Sequence, residues 1–283
     1  MHLTTNALVL REANYKESDK ILTLLTEREG KLTVSARGCR KKGSPIAAAC
    51  QLLAWAEFTL YEYDGRWSVK ETASERLFDG VRTDVEKLSL ASFIAEVTGA
   101  LAGEGQPDPS LLAVALNCLH ALDKLNLPPV QVKTAFEWRA MSLAGYEPQI
   151  ERCGVCFREQ PNEPQFHLGA GTVHCAACRD RLEEGVSMPL TASALAALRH
   201  IIWGPRRRLL SFRLDGDGMK RLSEASEAYL LTRLERGFRT LDFYKSITYK
   251  PLVEWPLRHL PTAEDAGLQA SGNEGDSEAP SLN

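Results

Sequence analysis

Cys153, Cys156, Cys175 and Cys178 form two Cys-x-x-Cys pairs with eighteen residues between them, and they are four of the chain's seven cysteines. Two chemistries fit such a pattern. Four thiolates can hold zinc tetrahedrally at about 2.3 Å, each Cys-x-x-Cys turn aiming two sulfurs at one ion. Thiol exchange is the rival. It ordinarily uses one pair at a helix N-terminus inside a βαβ unit, and no such unit surrounds these residues. Between the pairs, Gly154, Pro161, Pro164, Gly169 and Gly171 allow tight turns and Phe166 offers a small apolar plug. Arg152, Arg158, Arg179 and Arg181 lie beside the cysteines and offset the excess negative charge of four thiolates. Four protein ligands leave no open coordination position, so the expectation is one structural Zn2+ and no chemistry at the metal. His167 and His174 could substitute as ligands, but with four cysteines present they read as supporting or surface residues.

A second group of residues could hold phosphate. "ARGCRKKGSP" places Arg37, Arg40, Lys41 and Lys42 among Gly38, Gly43 and Pro45. This reads as a mobile cationic loop that contacts phosphates through counterion release, or as a loop that charge merely keeps solvated. From Arg28 to Lys42 there are six basic residues against Glu29 alone, although the net charge of the whole chain is −3. A partner meets a surface and not an average, so the segregation outweighs the sum. "PRRRLLSFR" is a second basic stretch, either an extension of a DNA path or a helix C-terminus whose arginines complement the dipole. Pro261 to Asn283 carries five acids and no base. Cys118 sits in an apolar helix and reads as core, whereas Cys39 reads as a surface thiol in the basic loop. No Walker loop, Gly-x-Ser-x-Gly elbow or His-Glu-x-x-His is present. "DGDG" at Asp215–Gly218 lacks the closing glutamate of a calcium loop and reads as a turn. A binding protein is expected before an enzyme.

The elements that must position these groups follow from periodicity. "ALVL", "DKILTLLT" and "KLTVSARG" read as strands, with a turn at Glu29-Gly30. "AWAEFTLYEY" and "RWSVKETA" form a hairpin about Asp64-Gly65. Short strands packed so densely suggest a small barrel or curled sheet. Ala54, Ala56, Phe58 and Leu60 should be core. Trp55, Thr59, Tyr61 and Tyr63 occupy the opposite face, either as a stacking platform for single-stranded nucleic acid or as packing beneath another domain. After Val81 the spacing becomes helical, as in Leu90, Phe93, Ile94, Val97 and Leu101. "LLAVALNCLHAL" and "VQVKTAFEWRAMSLAGY" continue it, the second with Gly145 as C-cap. Helices resume at "TASALAALRHIIW", N-capped by Thr191, and at "GMKRLSEASEAYLLTRLERGF". No apolar run approaches the roughly 20 residues of a membrane span. The start lacks a secretory pattern, and a cytoplasmic chain with reduced thiols is expected.

Three stretches together resemble the RecO family of bacterial recombination mediators: "TNALVLREANYKESDKILTLLTEREGKLTVSARGCRKKGS", "FEWRAMSLAGYEPQIERCGVC" with the later "CAAC", and "RTLDFYKSI". The resemblance spans about Thr4 to Ile247 in the family's order. It implies an α+β multidomain fold: an N-terminal OB-fold β-barrel (residues 1–80), a central and C-terminal helical domain in two parts (81–150 and 189–250), and an inserted four-cysteine zinc-binding module (151–188). A largely disordered tail, 251–283, is expected after it. The resemblance also implies binding of single- and double-stranded DNA and annealing of complementary strands coated by single-strand-binding protein, whose C-terminal tail the helical domain would bind. With RecR it would load RecA at gaps. The bacterial cytoplasm, at the nucleoid, is the implied location. Family zinc ligands match Cys153, Cys156, Cys175 and Cys178, and family DNA contacts match Lys31, Arg37, Arg40, Lys41 and Lys42. The alternatives are a zinc-ribbon recruitment module with secondary DNA binding, and a nucleic-acid enzyme with an unrecognised site.

Overall fold

The computed structural model describes Met1–Thr248, which form one compact unit. The acidic tail expected to be disordered lies outside the described residues. Five strands close an OB-like barrel: β1 (His2–Tyr15), β2 (Asp19–Thr26), β3 (Gly30–Ala36), β4 (Trp55–Tyr63) and β5 (Arg66–Arg76), in the order β1-β2-β3-β5-β4. β1 pairs with β4 over His2–Leu8 and with β2 over Ala7–Tyr15, and a register shift between Val9 and Arg11 bends it from one partner to the other. β3 meets β5 in parallel through two pairs, Val34 with Trp67 and Ser35 with Ser68.

Side chains alternate about this sheet as a period of two requires. Leu22, Leu24, Leu32, Val34, Ala54, Ala56, Phe58 and Leu60 fill the barrel. The unbroken apolar run at the middle of β1 has another cause. Ala7 and Val9 point into the barrel, while Leu8 and Leu10 join the helical core. At the β2–β3 turn Gly30 has φ +62, and a Cβ there would lie 2.1 Å from the Gln106 carbonyl oxygen, so only glycine fits.

Seven α-helices follow among the described residues: α1 (Asp79–Arg82), α2 (Val85–Leu101), α3 (Pro109–Lys124), α4 (Pro129–Leu143), α5 (Ala192–Trp203), α6 (Gly216–Leu234) and α7 (Arg239–Thr248). Their ends are set by local chemistry. Asp84 and Asp108 carboxylates accept the first free N–H groups of α2 and α3. The Thr191 hydroxyl accepts from Ala194 N–H at 3.0 Å, as its position before "ASALAAL" predicts. α4 ends where Gly145 turns to φ +90 and Tyr146 N–H reaches back to the Met141 carbonyl at 2.9 Å. Asp215, read as part of a turn, instead caps α6, its carboxylate accepting from Gly218 N–H at 2.7 Å. α7 is less legible because only Leu241 and Tyr244 of it are buried. Its first turn is held from α2, where Glu96 accepts from the Thr240 hydroxyl and N–H.

α4 lies at the centre, buried on nearly every side. It carries two charges into the core. Lys133 Nζ lies 2.7 Å from Glu137 and 3.0 Å from Glu227 of α6, and Glu227 also accepts from Lys245 of α7 at 2.6 Å. The Ser226 hydroxyl donates to Glu137. Burial pushes the Glu137 carboxyl upward, and Lys133 opposes that push. Removing one partner of such a pair leaves a buried charge without compensation. Lys133→Met is therefore expected to cost about 3–5 kcal/mol in urea unfolding. Adding Glu137→Gln should recover part of the loss. Equal stability of the single variant and the wild type would show that the network does not join the helices.

Candidate metal centre and nucleic-acid interface

The cysteine segment folds as a three-stranded sheet, β7-β6-β8, built from β6 (Pro164–His167), β7 (Thr172–Cys175) and β8 (Ser187–Pro189), with a 3-10 turn at Ala176–Arg181. The first Cys-x-x-Cys precedes β6. The second spans the end of β7 and the 3-10 turn. Their four sulfurs lie within 4.8 Å of one another, and Cys156 and Cys175 are 3.8 Å apart. A tetrahedron of metal–sulfur bonds about 2.3 Å long has edges of about 3.8 Å, so the set fits a single ion.

Backbone N–H groups already point at the sulfurs. Cys153 Sγ accepts from Cys156 N–H at 3.5 Å and Cys175 N–H at 3.4 Å, and Cys175 Sγ accepts from Asn162 N–H at 3.3 Å. Burial alone would raise the Cys153 thiol, but these donors bring it down to about 6. Burial and the neighbouring sulfurs push Cys178 up to about 12. Four thiolates packed this closely repel one another, and a full set of four requires a cation among them. His167 and His174 face elsewhere and are buried. His174 Nδ1–H donates to the Cys175 carbonyl and its Nε2 accepts from Ser187, both at 2.9 Å, while His167 Nδ1 accepts from Ala170 N–H. They support the knuckles, as the four-cysteine reading expects, and the surface alternative falls.

The module is not a detached knob. Phe166 lies fully buried between Trp138 of α4 and Tyr229 of α6, its ring 5.1 Å from each. Arg199 of α5 donates to the carbonyls of Ile150, Glu151 and Glu159. The cysteine-bearing module thus supplies Phe166 of β6 to the helical core.

At the barrel, the structure gathers four of the five sequence-predicted phosphate contacts and separates the fifth. Arg37, Arg40, Lys41 and Lys42 are exposed, and none has an acidic partner among the described residues. Lys31 lies at the start of β3, away from the loop that follows this strand. Its Nζ donates to the Gly99 carbonyl at 2.9 Å and lies 3.4 Å from Glu104, so it ties barrel to helices. It lines a cleft of about 630 Å³ between β1–β3 and α2 and α7, where Arg236 in turn faces Glu96.

The loop is anchored, where glycines suggested mobility. Gly38 N–H donates to the Asp19 carboxylate at 2.8 Å, and Arg40 N–H donates to the Ser18 carbonyl at 2.9 Å. The Arg40 guanidinium donates to the Lys16 carbonyl at 3.3 Å. Cys39, expected at the surface, is only 3% exposed, because the segment after β3 folds back to plug the barrel with Ile46, Ala49 and Cys50. Burial raises its thiol. Asp19 was missed because "ALVL" marks only part of β1, which runs on to Tyr15 and places the Lys16–Ser18 turn against the loop. The Gly38 N–H holds the Asp19 carboxyl below its ordinary value.

The aromatic face divides. Trp55 packs against the helical core, and Tyr61 lies between His2, 4.9 Å away, and the Lys70 ammonium, 5.0 Å away. Tyr63 is exposed at the β4–β5 turn. Arg206, Arg207 and Arg208 do not cap α5, whose last carbonyls accept instead from Arg139.

Two family models match this chain. The one described as "Recombination protein O N terminal" covers residues 1–73, and "Recombination protein O C terminal" covers residues 82–242. The DNA repair protein RecO of Acetivibrio thermocellus is 29% identical over 246 residues, 87% of this chain and 97% of the relative. That of Thermoanaerobacter sp. is 27% identical over 245 residues, 87% and 98% of the two chains. That of Symbiobacterium thermophilum is 28% identical over 245 residues, 86% and 96%. No helix among the described residues is long and apolar enough to cross a membrane.

Two outcomes follow from this geometry. Cys175→Ser should lower bound metal from one ion per chain, read by elemental analysis, and broaden the amide signals of the module. A fully folded protein that never takes up metal would refute the centre. For the loop, a carboxylate with a lowered pKa contributes its stabilisation above the unfolded value of about 3.9 and loses it only as pH falls through the folded one. The Gly38 amide shift should therefore stay constant from about pH 7 to about pH 4.5. An inflection inside that window would show that Asp19 is not its acceptor.

Proposed function

This chain belongs to the RecO family, and from that premise we propose that it is a DNA-repair mediator acting by binding and not by catalysis. It holds single- and double-stranded DNA through Arg37, Arg40, Lys41 and Lys42. It anneals complementary strands, including those coated by single-strand-binding protein, and with RecR promotes RecA loading at gaps in the bacterial cytoplasm. The single observation that supports the DNA contact is the anchored loop of four unpaired cations at one end of an OB-like barrel. Annealing asks little more of a protein. Two polyanions repel, and a cationic surface that neutralises part of each lets them search for register at close range.

The cysteine centre holds one Zn2+ in this reading, bound by Cys153, Cys156, Cys175 and Cys178. The ion supplies cross-linking only. With four thiolates bound there is no place for substrate, and the module's contribution is Phe166 set in the helical core.

Salt titration tests the DNA reading. For about 4–6 phosphate contacts to single-stranded DNA, log K should fall against log salt with a slope of about −3 to −4. Changing Arg37, Arg40, Lys41 and Lys42 together to alanine should flatten that slope and abolish annealing, with the thermal unfolding of the protein unchanged. Annealing that survives the change would move the interface off the barrel loop.

A further inference from the structure

We propose that Tyr15 is the base-stacking residue of this interface and that the barrel end is thereby selective for unpaired nucleotides; the inference rests on the DNA-binding reading of the basic loop. From Arg11 onward every residue of β1 is exposed, while its partner β2 stays paired with β3 as far as Lys20, so the end of β1 and the turn after it form an exposed arm at the barrel's edge. Tyr15 sits at its tip, 49% exposed. The arm is bonded to the cationic loop at three points, through Lys16, Ser18 and Asp19. Ring and cations therefore share one scaffold, and the Lys16 ammonium lies 5.3 Å from the ring centroid.

The barrel's other aromatics are otherwise engaged or lie apart. Trp55 is packed beneath helices and Tyr61 is covered by His2 and Lys70. Tyr63 is exposed, but its turn is not bonded to the loop. Trp67 packs against the barrel core, so Tyr15 is the half-exposed ring that directly precedes the turn bonded to the loop that would grip phosphates, with the Lys16 ammonium toward it. A single strand can swing a base onto such a ring while its backbone is gripped, whereas a duplex keeps its bases stacked on one another. The same end of the barrel then binds both forms through charge and discriminates between them through the ring.

The test uses the full chain with a labelled oligothymidine and a duplex of equal length. Tyr15→Ala should weaken single-strand binding about 5- to 150-fold, the range of one stacked base, and lower the ratio of single- to double-strand affinity by a similar factor. Its salt slope should match that of the wild type, because no cation is removed. Tyr15→Phe keeps the ring and should restore binding. A 2-aminopurine within the strand should be quenched by the wild type and by Tyr15→Phe, and not by Tyr15→Ala. Equal losses on single strand and duplex would overturn the proposal and make the arm a support for the loop. Single-strand binding unchanged in Tyr15→Ala, while the quadruple alanine variant fails, would overturn it with the loop reading intact. DNA binding retained in the quadruple variant would remove the loop reading itself.

Discussion

Four cations within six residues repel one another, and the proposed interface depends on hydrogen bonds that hold them against that repulsion. Left free, Arg37, Arg40, Lys41 and Lys42 would spread apart, and ordering them would cost affinity at each binding event. The bond from Gly38 N–H to Asp19 and the bonds from Arg40 to Ser18 and Lys16 fix the start of the loop to a neighbouring hairpin. Cys39, turned inward between two exposed arginines, anchors the same stretch from below. Much of the loop's ordering thus needs no ligand. The anion in this clamp, Asp19, is held below its ordinary carboxyl value chiefly by the Gly38 N–H, with Ser18, Lys16 and Arg37 adding to it.

The sulfur cluster serves a comparable purpose in the helical part. A segment this short and rich in turns cannot bury enough apolar surface to hold its own shape. Cross-linked by an ion, it can present one aromatic ring at a defined height, and Trp138 and Tyr229 receive it. With an ion bound, metal, plug and helical core would be energetically linked.

What could be read directly from the sequence had short-range causes. The strands of the barrel declare themselves by alternation, the caps at Thr191 and Gly145 by residue type, and the four cysteines by spacing. The less legible features are set by long-range contacts. Lys31 looks like any strand cation until Gly99 and Glu104, far along the chain, arrive beside it. Trp55 and Tyr61 look alike on one strand face, yet one lies under helices and the other under His2 and Lys70. Cys39 has a basic sequence context and an apolar spatial one. In each case the neighbour that decides the role lies outside the local window.

The bond between Glu96 and Thr240 joins positions 144 residues apart, and this separation bears on the order in which the protein takes shape. All five barrel strands lie within the first 76 positions, so the barrel can close early in translation. The Glu96 carboxylate of α2 must wait for α7, at the far end of the described chain, before the first turn it holds exists. A nascent chain released too soon would carry a finished barrel ahead of an unfinished helical half with its apolar faces open to water. Such an intermediate is a natural client for chaperones, and truncations that spare the barrel should burden the cell more than their length suggests.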